Sequence, residues 1–108
     1  MPEESRAQRL SRLRYRSWRR GTREMDLLLG PFADRHLAAM DEPELAAYER
    51  LLDIGDPILM AWLTGQAEPP PDTDPVLRTL VRRVGEAARQ GGAVAAAQRK
   101  TPTDELAT

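Results

Sequence analysis

Apolar residues recur every three or four positions along most of this chain, and glycine or proline repeatedly interrupts the pattern. That spacing places apolar side chains on one face of an α-helix, whereas a β-strand needs alternating apolar and polar residues. No stretch shows sustained alternation, and no internal repeat is present. The sequence therefore predicts an all-α fold, a small five-helix bundle.

Two helices are predicted in the first part of the chain. The first runs from about Ser5 to Arg20 and stops at Gly21, because glycine readily takes the left-handed conformation that closes a helix. The second begins around Thr22 and keeps helical spacing as far as Met40. Gly30-Pro31 lies inside it, and since proline cannot donate to the preceding turn, we expect a kink or a short break there.

Three further helices are predicted to begin at an aspartate with a proline close behind. Asp41 can cap the third, with Glu44 three residues on as in a capping box. Asp56-Pro57 and Asp74-Pro75 repeat the arrangement, with aspartate as cap and proline at the first helical position. The fifth helix is predicted to end at about Arg89.

The 108 residues leave room for one domain. We expect a mobile N-terminus over residues 1–8 and a helical domain over 9–90. Residues 91–108 are rich in alanine and then polar, which predicts a disordered C-terminal tail.

Composition argues against catalysis by this chain. It has no cysteine, which excludes disulfides and thiolate metal sites and favours a reducing compartment, so we expect a cytoplasmic protein. The single histidine, His36, lies on the apolar stripe of the second helix and is interpreted as a packing residue rather than a metal ligand. No nucleophile elbow or phosphate-binding loop is present, so we predict no catalytic residue and no metal site.

Charge is strongly segregated although the formal net charge is only −1. Residues 1–24 carry eight arginines and three glutamates, a net +5, whereas residues 25–75 carry eleven acids and two arginines, a net −9. Such a chain can steer a charged partner, or it can fold its basic helix onto its own acidic segment.

The turn after the first helix is the most specific local signal. Gly21 reverses the chain there and leaves Arg20 and Glu24 four residues apart across the reversal, where a guanidinium and a carboxylate can recognise a partner. The alternative is a surface ion pair with no further role. The predicted partner-binding residues are Arg16, Trp18, Arg20, Gly21, Arg23 and Glu24.

A different function class stays open for the basic helix. Arginines interleaved with Tyr15 and Trp18 can contact phosphates and stack on bases, so the chain can alternatively be a nucleic-acid-binding or regulatory module. The slightly acidic total charge and the absence of a known nucleic-acid-binding motif count against it. A small structural bundle that forms oligomers is a third possibility.

The segment from Arg12 to Asp26 resembles the signature of the FAD-assembly factors of succinate dehydrogenase, whose hallmark is Arg-Gly-x-x-Glu. Arg20, Gly21 and Glu24 match that hallmark in type and spacing. The resemblance covers about residues 9–65. Further positions similar to that family are Pro31-Phe32, Leu51-Leu52, Asp56-Pro57 and Trp62-Leu63.

The resemblance implies an assembly chaperone that binds the flavoprotein subunit of succinate dehydrogenase, with the fumarate reductase subunit as a second candidate partner. It implies that FAD becomes covalently attached to a histidine of the partner, and that this chain holds no cofactor stably. Arg20 and Glu24 would then lie at the interface, presented by Gly21. We expect a monomer when the protein is free, in the bacterial cytoplasm and without membrane insertion.

Overall fold

The computed structural model describes the backbone of residues 3–100 and the side chains of residues 3–90. Within this part the chain forms five α-helices and no strand, which confirms the predicted fold class. None of these helices combines the length and apolar composition that a bilayer crossing requires. The helices are α1 (Arg6–Trp18), α2 (Arg23–His36), α3 (Glu42–Leu52), α4 (Asp56–Leu63) and α5 (Pro75–Lys100).

Side-chain caps fix the starts of four helices. At α3, the Asp41 carboxylate accepts from the Glu44 amide at 3.0 Å and the Glu44 carboxylate accepts from the Asp41 amide at 3.0 Å. This is the predicted capping box, which satisfies amides that the first helical turn leaves without partners. The four capping residues are Ser5, Thr22, Asp41 and Asp74.

The start of α4 differs from the prediction. Gly55 is the capping residue and contributes no side chain, while Asp56 and Pro57 occupy the first two helical positions. The Asp56 carboxylate is bound by the guanidinium of Arg20 instead of by the helix amides. The aspartate therefore serves the tertiary contact with Arg20 rather than capping α4.

One hydrophobic core joins all five helices. In it α2 packs against both α1 and α5, and α5 also packs against α3 and α4. Fully buried side chains from successive helices meet there, and burial of this kind is the main favourable contribution to folding. One such residue from each helix is Leu13, Leu29, Leu51, Leu59 and Val84.

A buried polar contact lies within this core. The hydroxyls of Ser17 on α1 and Tyr48 on α3 lie 2.7 Å apart, and Ser17 also donates to the Leu13 carbonyl at 2.8 Å. Burial raises the pKa of Tyr48 to about 12, although the hydrogen bond to Ser17 opposes that rise. The phenol therefore stays neutral at ordinary pH and joins α1 to α3.

Of the kink or short break expected at Gly30-Pro31, the break does not occur, because α2 runs continuously through both residues. Gly30 is buried, and a Cβ atom built on it would overlap the indole ring of Trp18. The glycine therefore lets the half-buried indole from α1 lie directly on the α2 backbone. Pro31 is exposed, so its ring meets solvent on the outer side of the helix.

The second predicted helix also ends earlier than expected. The α2 helix stops at His36, and a 3-10 turn over Leu37–Ala39 leads to Met40, whose amide donates to the Leu37 carbonyl at 3.1 Å. Leu37 and Met40 remain buried. The half-buried imidazole of His36 packs against Phe32 with 4.6 Å between ring centroids, and burial, with Arg83 and Arg35 nearby, lowers its pKa.

The ends of the helical domain also differ in extent from the prediction. The α1 helix starts at Arg6, inside the segment expected to be mobile, and Arg6 donates to the Met40 carbonyl at 2.7 Å. The α5 helix continues past the predicted end near Arg89 to Lys100. The predicted tail covers residues 91–108. All of its side chains, and its backbone from residue 101 onward, lie outside the described residues.

We expect Gly30→Ala to destabilise the domain by about 1–3 kcal/mol, because the added methyl group overlaps the Trp18 indole in a packed interface. Urea unfolding followed by circular dichroism measures the change. Gly55→Ala is the control, since its Cβ would meet nothing within 4 Å and its φ of −61° suits alanine. Because Gly55 caps α4 and alanine is a poorer cap, we expect a smaller loss there, below about 1 kcal/mol. Equal stability of the two variants would contradict this packing role for Gly30.

Candidate partner-binding site

The turn between α1 and α2, residues 19–24, forms a corner. Gly21 has a φ of +112°, a conformation that L side chains rarely adopt. The backbone amide of Arg20 donates to Asp26 Oδ1 at 2.7 Å, which ties the turn to the first turn of α2. Thr22 caps α2 by accepting from the Met25 amide at 3.2 Å. The corner is therefore held by its own backbone and caps.

The side chain of Arg20 fixes this corner to the loop between α3 and α4. Its Nε and Nη2 atoms lie 3.0 and 2.5 Å from Asp56 Oδ1. The guanidinium also donates to the carbonyls of Ile54, at 2.7 Å, and of Leu52. Only 9% of this side chain is exposed, so its hydrogen-bonding capacity is used mainly within the chain.

Arg20 does not pair with Glu24, although the sequence places them four residues apart. Glu24 and its neighbour Arg23 are exposed, and neither side chain makes an ion pair or hydrogen bond with another described residue. The carboxylate of Glu24 is accordingly available to a partner, whereas the guanidinium of Arg20 is occupied. The two hallmark residues flank Gly21 in different environments.

The other predicted residues surround the corner. Arg16 is partly exposed and donates to Asp53 Oδ1 at 2.9 Å. Trp18 covers Gly30, and its indole nitrogen lies 3.2 Å from Asp34 Oδ2. All six predicted residues thus lie at or beside one turn, and their role in partner binding stays a prediction.

Sequence reasoning missed the residues that hold the corner. Asp26, Asp56 and two backbone carbonyls, at the end of α3 and in the α3–α4 loop, supply the acceptors for Arg20. In the sequence, Asp56 is a candidate helix cap and a position similar to the FAD-assembly factors, but no local pattern identifies which arginine it binds. The loop carbonyls carry no sequence signal, because every residue has one.

The basic face of α1 lies largely on the acidic part of the chain. Glu49 of α3 accepts from both Arg9, at 2.9 Å, and Arg12, at 2.8 Å. Burial opposes ionisation of Glu49, but the hydrogen bonds from Arg12 and Arg9 outweigh it and lower its pKa. Arg14 lies 3.3 Å from Asp34. Several α1 arginines are therefore neutralised within the chain. The described residues contain no cluster of His, Cys, Asp and Glu side chains able to hold a metal ion.

We expect Arg20→Ala to lower the free energy of unfolding by about 2–4 kcal/mol, because it leaves Asp56 and the carbonyls of Leu52 and Ile54 without their donor. Arg20→Lys should lose most of the same stability, since an ammonium group cannot reproduce the planar fork of donors. Urea unfolding again gives the measurement. Arg23→Ala is the control, an exposed arginine next to the corner with an expected change within about 0.5 kcal/mol. A loss for Arg20→Ala no larger than the control's would refute this role.

Comparisons with known proteins identify the family of this chain. The sequence model of the family described as flavinator of succinate dehydrogenase matches residues 11–85, which include all six predicted residues. The FAD assembly factor SdhE of Acetobacter pasteurianus is 36% identical over 91 residues, covering 83% of this chain and 82% of that protein. No solved structure matches the chain.

Mitochondrial relatives are longer. Succinate dehydrogenase assembly factor 2 of Arabidopsis thaliana is 36% identical over 84 residues, 76% of this chain and 45% of the relative. The protein of the same name from Aspergillus terreus is 41% identical over 98 residues, 86% of this chain and 33% of the relative. The chain thus spans less than half the length of these two proteins. With more than half of its residues matched, the chain belongs to the family of succinate dehydrogenase flavinators, whose relatives are named as assembly factors.

Proposed function

We propose that this protein binds the flavoprotein subunit of succinate dehydrogenase and promotes covalent attachment of FAD to a histidine of that subunit. The observation that carries the proposal is the corner inside the family match, where Arg20 is locked within the chain and Glu24 faces outward. The flavoprotein subunit of fumarate reductase is the second candidate partner. We place this activity in the cytoplasm, as the absence of cysteine suggests.

In this proposal the protein acts by positioning. The histidine that bonds to FAD belongs to the partner, and the flavin is the partner's cargo rather than a cofactor of this chain. A surface that holds two reacting groups in a productive arrangement lowers a barrier without supplying a nucleophile. The rigid corner supports such a role, because a contact group on a pre-formed surface loses little conformational entropy on binding.

The burial of each corner side chain indicates its role in this proposal. Gly21 sets the turn, Arg20 locks it to the α3–α4 loop, and Glu24 and Arg23 offer one negative and one positive charge to the partner. Charged pairs across an interface fix register and orientation. We therefore assign Arg20 to positioning and Glu24 to contact, and we expect a monomeric protein that binds its partner one to one.

Nucleic-acid binding has less support. The arginines of α1 that would meet phosphates are engaged by acids of the same chain, among them Glu49 and Asp53. An oligonucleotide would have to displace those acids and remain beside them. Binding of this kind would weaken steeply with salt, which gives a direct way to recognise it.

The test is covalent flavin in the flavoprotein subunit co-expressed with this protein, read as fluorescence in a denaturing gel. We expect the wild-type protein to raise the amount of covalently attached flavin above that of a strain lacking it. Glu24→Gln should reduce this increase about tenfold, because the exposed carboxylate contacts the partner.

Glu86→Gln is the matched control, since it removes the same charge from an exposed site on α5. Thermal denaturation confirms that both variants fold. Attachment that does not respond to the wild-type protein would contradict the proposed function. Attachment that responds equally to both variants would contradict the role of Glu24.

A further inference from the structure

An open cleft of about 400 Å³ lies beside the corner, between the C-terminal half of α1 and the α3–α4 loop. We call it the α1–α4 cleft. The half-buried side chain of Ile54 forms an apolar part of its lining. Charged residues of α1 and of the α3–α4 loop line its two sides. Its lining residues include Tyr15, Arg16, Arg19, Ile54, Asp53 and Asp56.

Both acids of the cleft are already paired within the chain. Asp53 accepts from Arg16 at 2.9 Å, and Asp56 accepts from Arg20 at 2.5 Å. Arg19 differs, because it makes no ion pair with any described residue. The cleft therefore presents one surplus positive charge, which favours an anionic occupant.

Arg19 is held in place by an aromatic ring. Its guanidinium carbon lies 5.0 Å from the ring centroid of Tyr15, one helical turn earlier, within the range of a cation–π contact. Tyr15 itself is 61% exposed, although it is one of the largest apolar side chains on α1. An exposed tyrosine stacked with an arginine combines two of the residue types that are enriched among interface hot spots.

We propose that the α1–α4 cleft receives an acidic segment of the flavoprotein partner, anchored by Tyr15 and Arg19. This inference rests on the proposed function and deepens it by naming a second contact surface. A single carboxylate can reach Arg19 while its apolar neighbours cover Tyr15 and Ile54. A phosphate chain is a poorer occupant, because its repeated charges would pass close to Asp53 and Asp56.

Arg19 of the cleft and Glu24 lie on opposite sides of Arg20 in the chain. Arg20 lines the cleft and also begins the corner, so its bonds to Asp56 and the loop carbonyls hold both contact surfaces in one arrangement. The partner thus meets the guanidinium of Arg19 before the turn and the carboxylate of Glu24 after it. Two opposite charges at a fixed separation define one orientation of the bound protein.

The experiment measures the affinity of the purified flavoprotein subunit for the full-length protein by biolayer interferometry. We expect Tyr15→Ala and Arg19→Ala each to raise Kd about tenfold, and Arg19→Glu about a hundredfold, because reversal adds repulsion against the acidic segment. The effect of Arg19→Glu should shrink as salt is raised. Arg82→Glu is the control, an exposed α5 arginine that does not line the cleft and makes no ion pair with a described residue; its Kd should stay within about threefold.

The outcomes separate the two proposals. If the wild type binds the subunit and the Tyr15 and Arg19 variants bind equally well, the cleft inference is overturned and the proposed function stands. If the wild type does not bind the subunit at all, both fall. If a single-stranded oligonucleotide binds instead, in a manner that depends on Arg19, the occupant is nucleic acid and the inference is overturned.

Discussion

The guanidinium of Arg20 joins two parts of the chain 36 positions apart, and the arrangement of the candidate site depends on that contact. It donates to the Asp56 carboxylate and to the carbonyls of Leu52, at the end of α3, and of Ile54, just after it. The sharp turn at Gly21 brings the arginine to this position. The same contact keeps Arg19 on one side of the turn and Glu24 on the other.

The segregation of charge along the chain has a structural explanation. The basic α1 helix lies against acids that come later in the sequence, and Glu49 alone accepts from two of its arginines. Among the described residues around the corner, the charged side chains without an ion pair or a hydrogen bond are Arg19, Arg23 and Glu24. A surface with few free charges in fixed positions suits recognition of one protein partner better than attraction of a polyanion, whose binding grows with the number of neutralised phosphates.

The fold was largely predictable from sequence because its signals are local. Helical spacing, the Asp41–Glu44 capping box and the Asp74-Pro75 start each act within a few residues. Where the prediction failed, a tertiary contact decided the outcome. The Trp18 indole of α1 packs on Gly30 of α2, and the Asp56 carboxylate binds Arg20, which is distant in sequence. For the site, the sequence located the corner but not which of its residues face inward, since burial depends on elements far apart in the chain.

The most direct measurement is hydrogen–deuterium exchange of this protein with and without the flavoprotein subunit. Binding should slow exchange at residues 19–25 and 52–56, because the partner covers the corner and the adjoining α3–α4 loop. Exposed parts of α5 around Arg82 should exchange at the same rate in both samples. Protection confined to α5, with no change at the corner, would contradict the claim that the partner binds where Arg20 holds the two segments together.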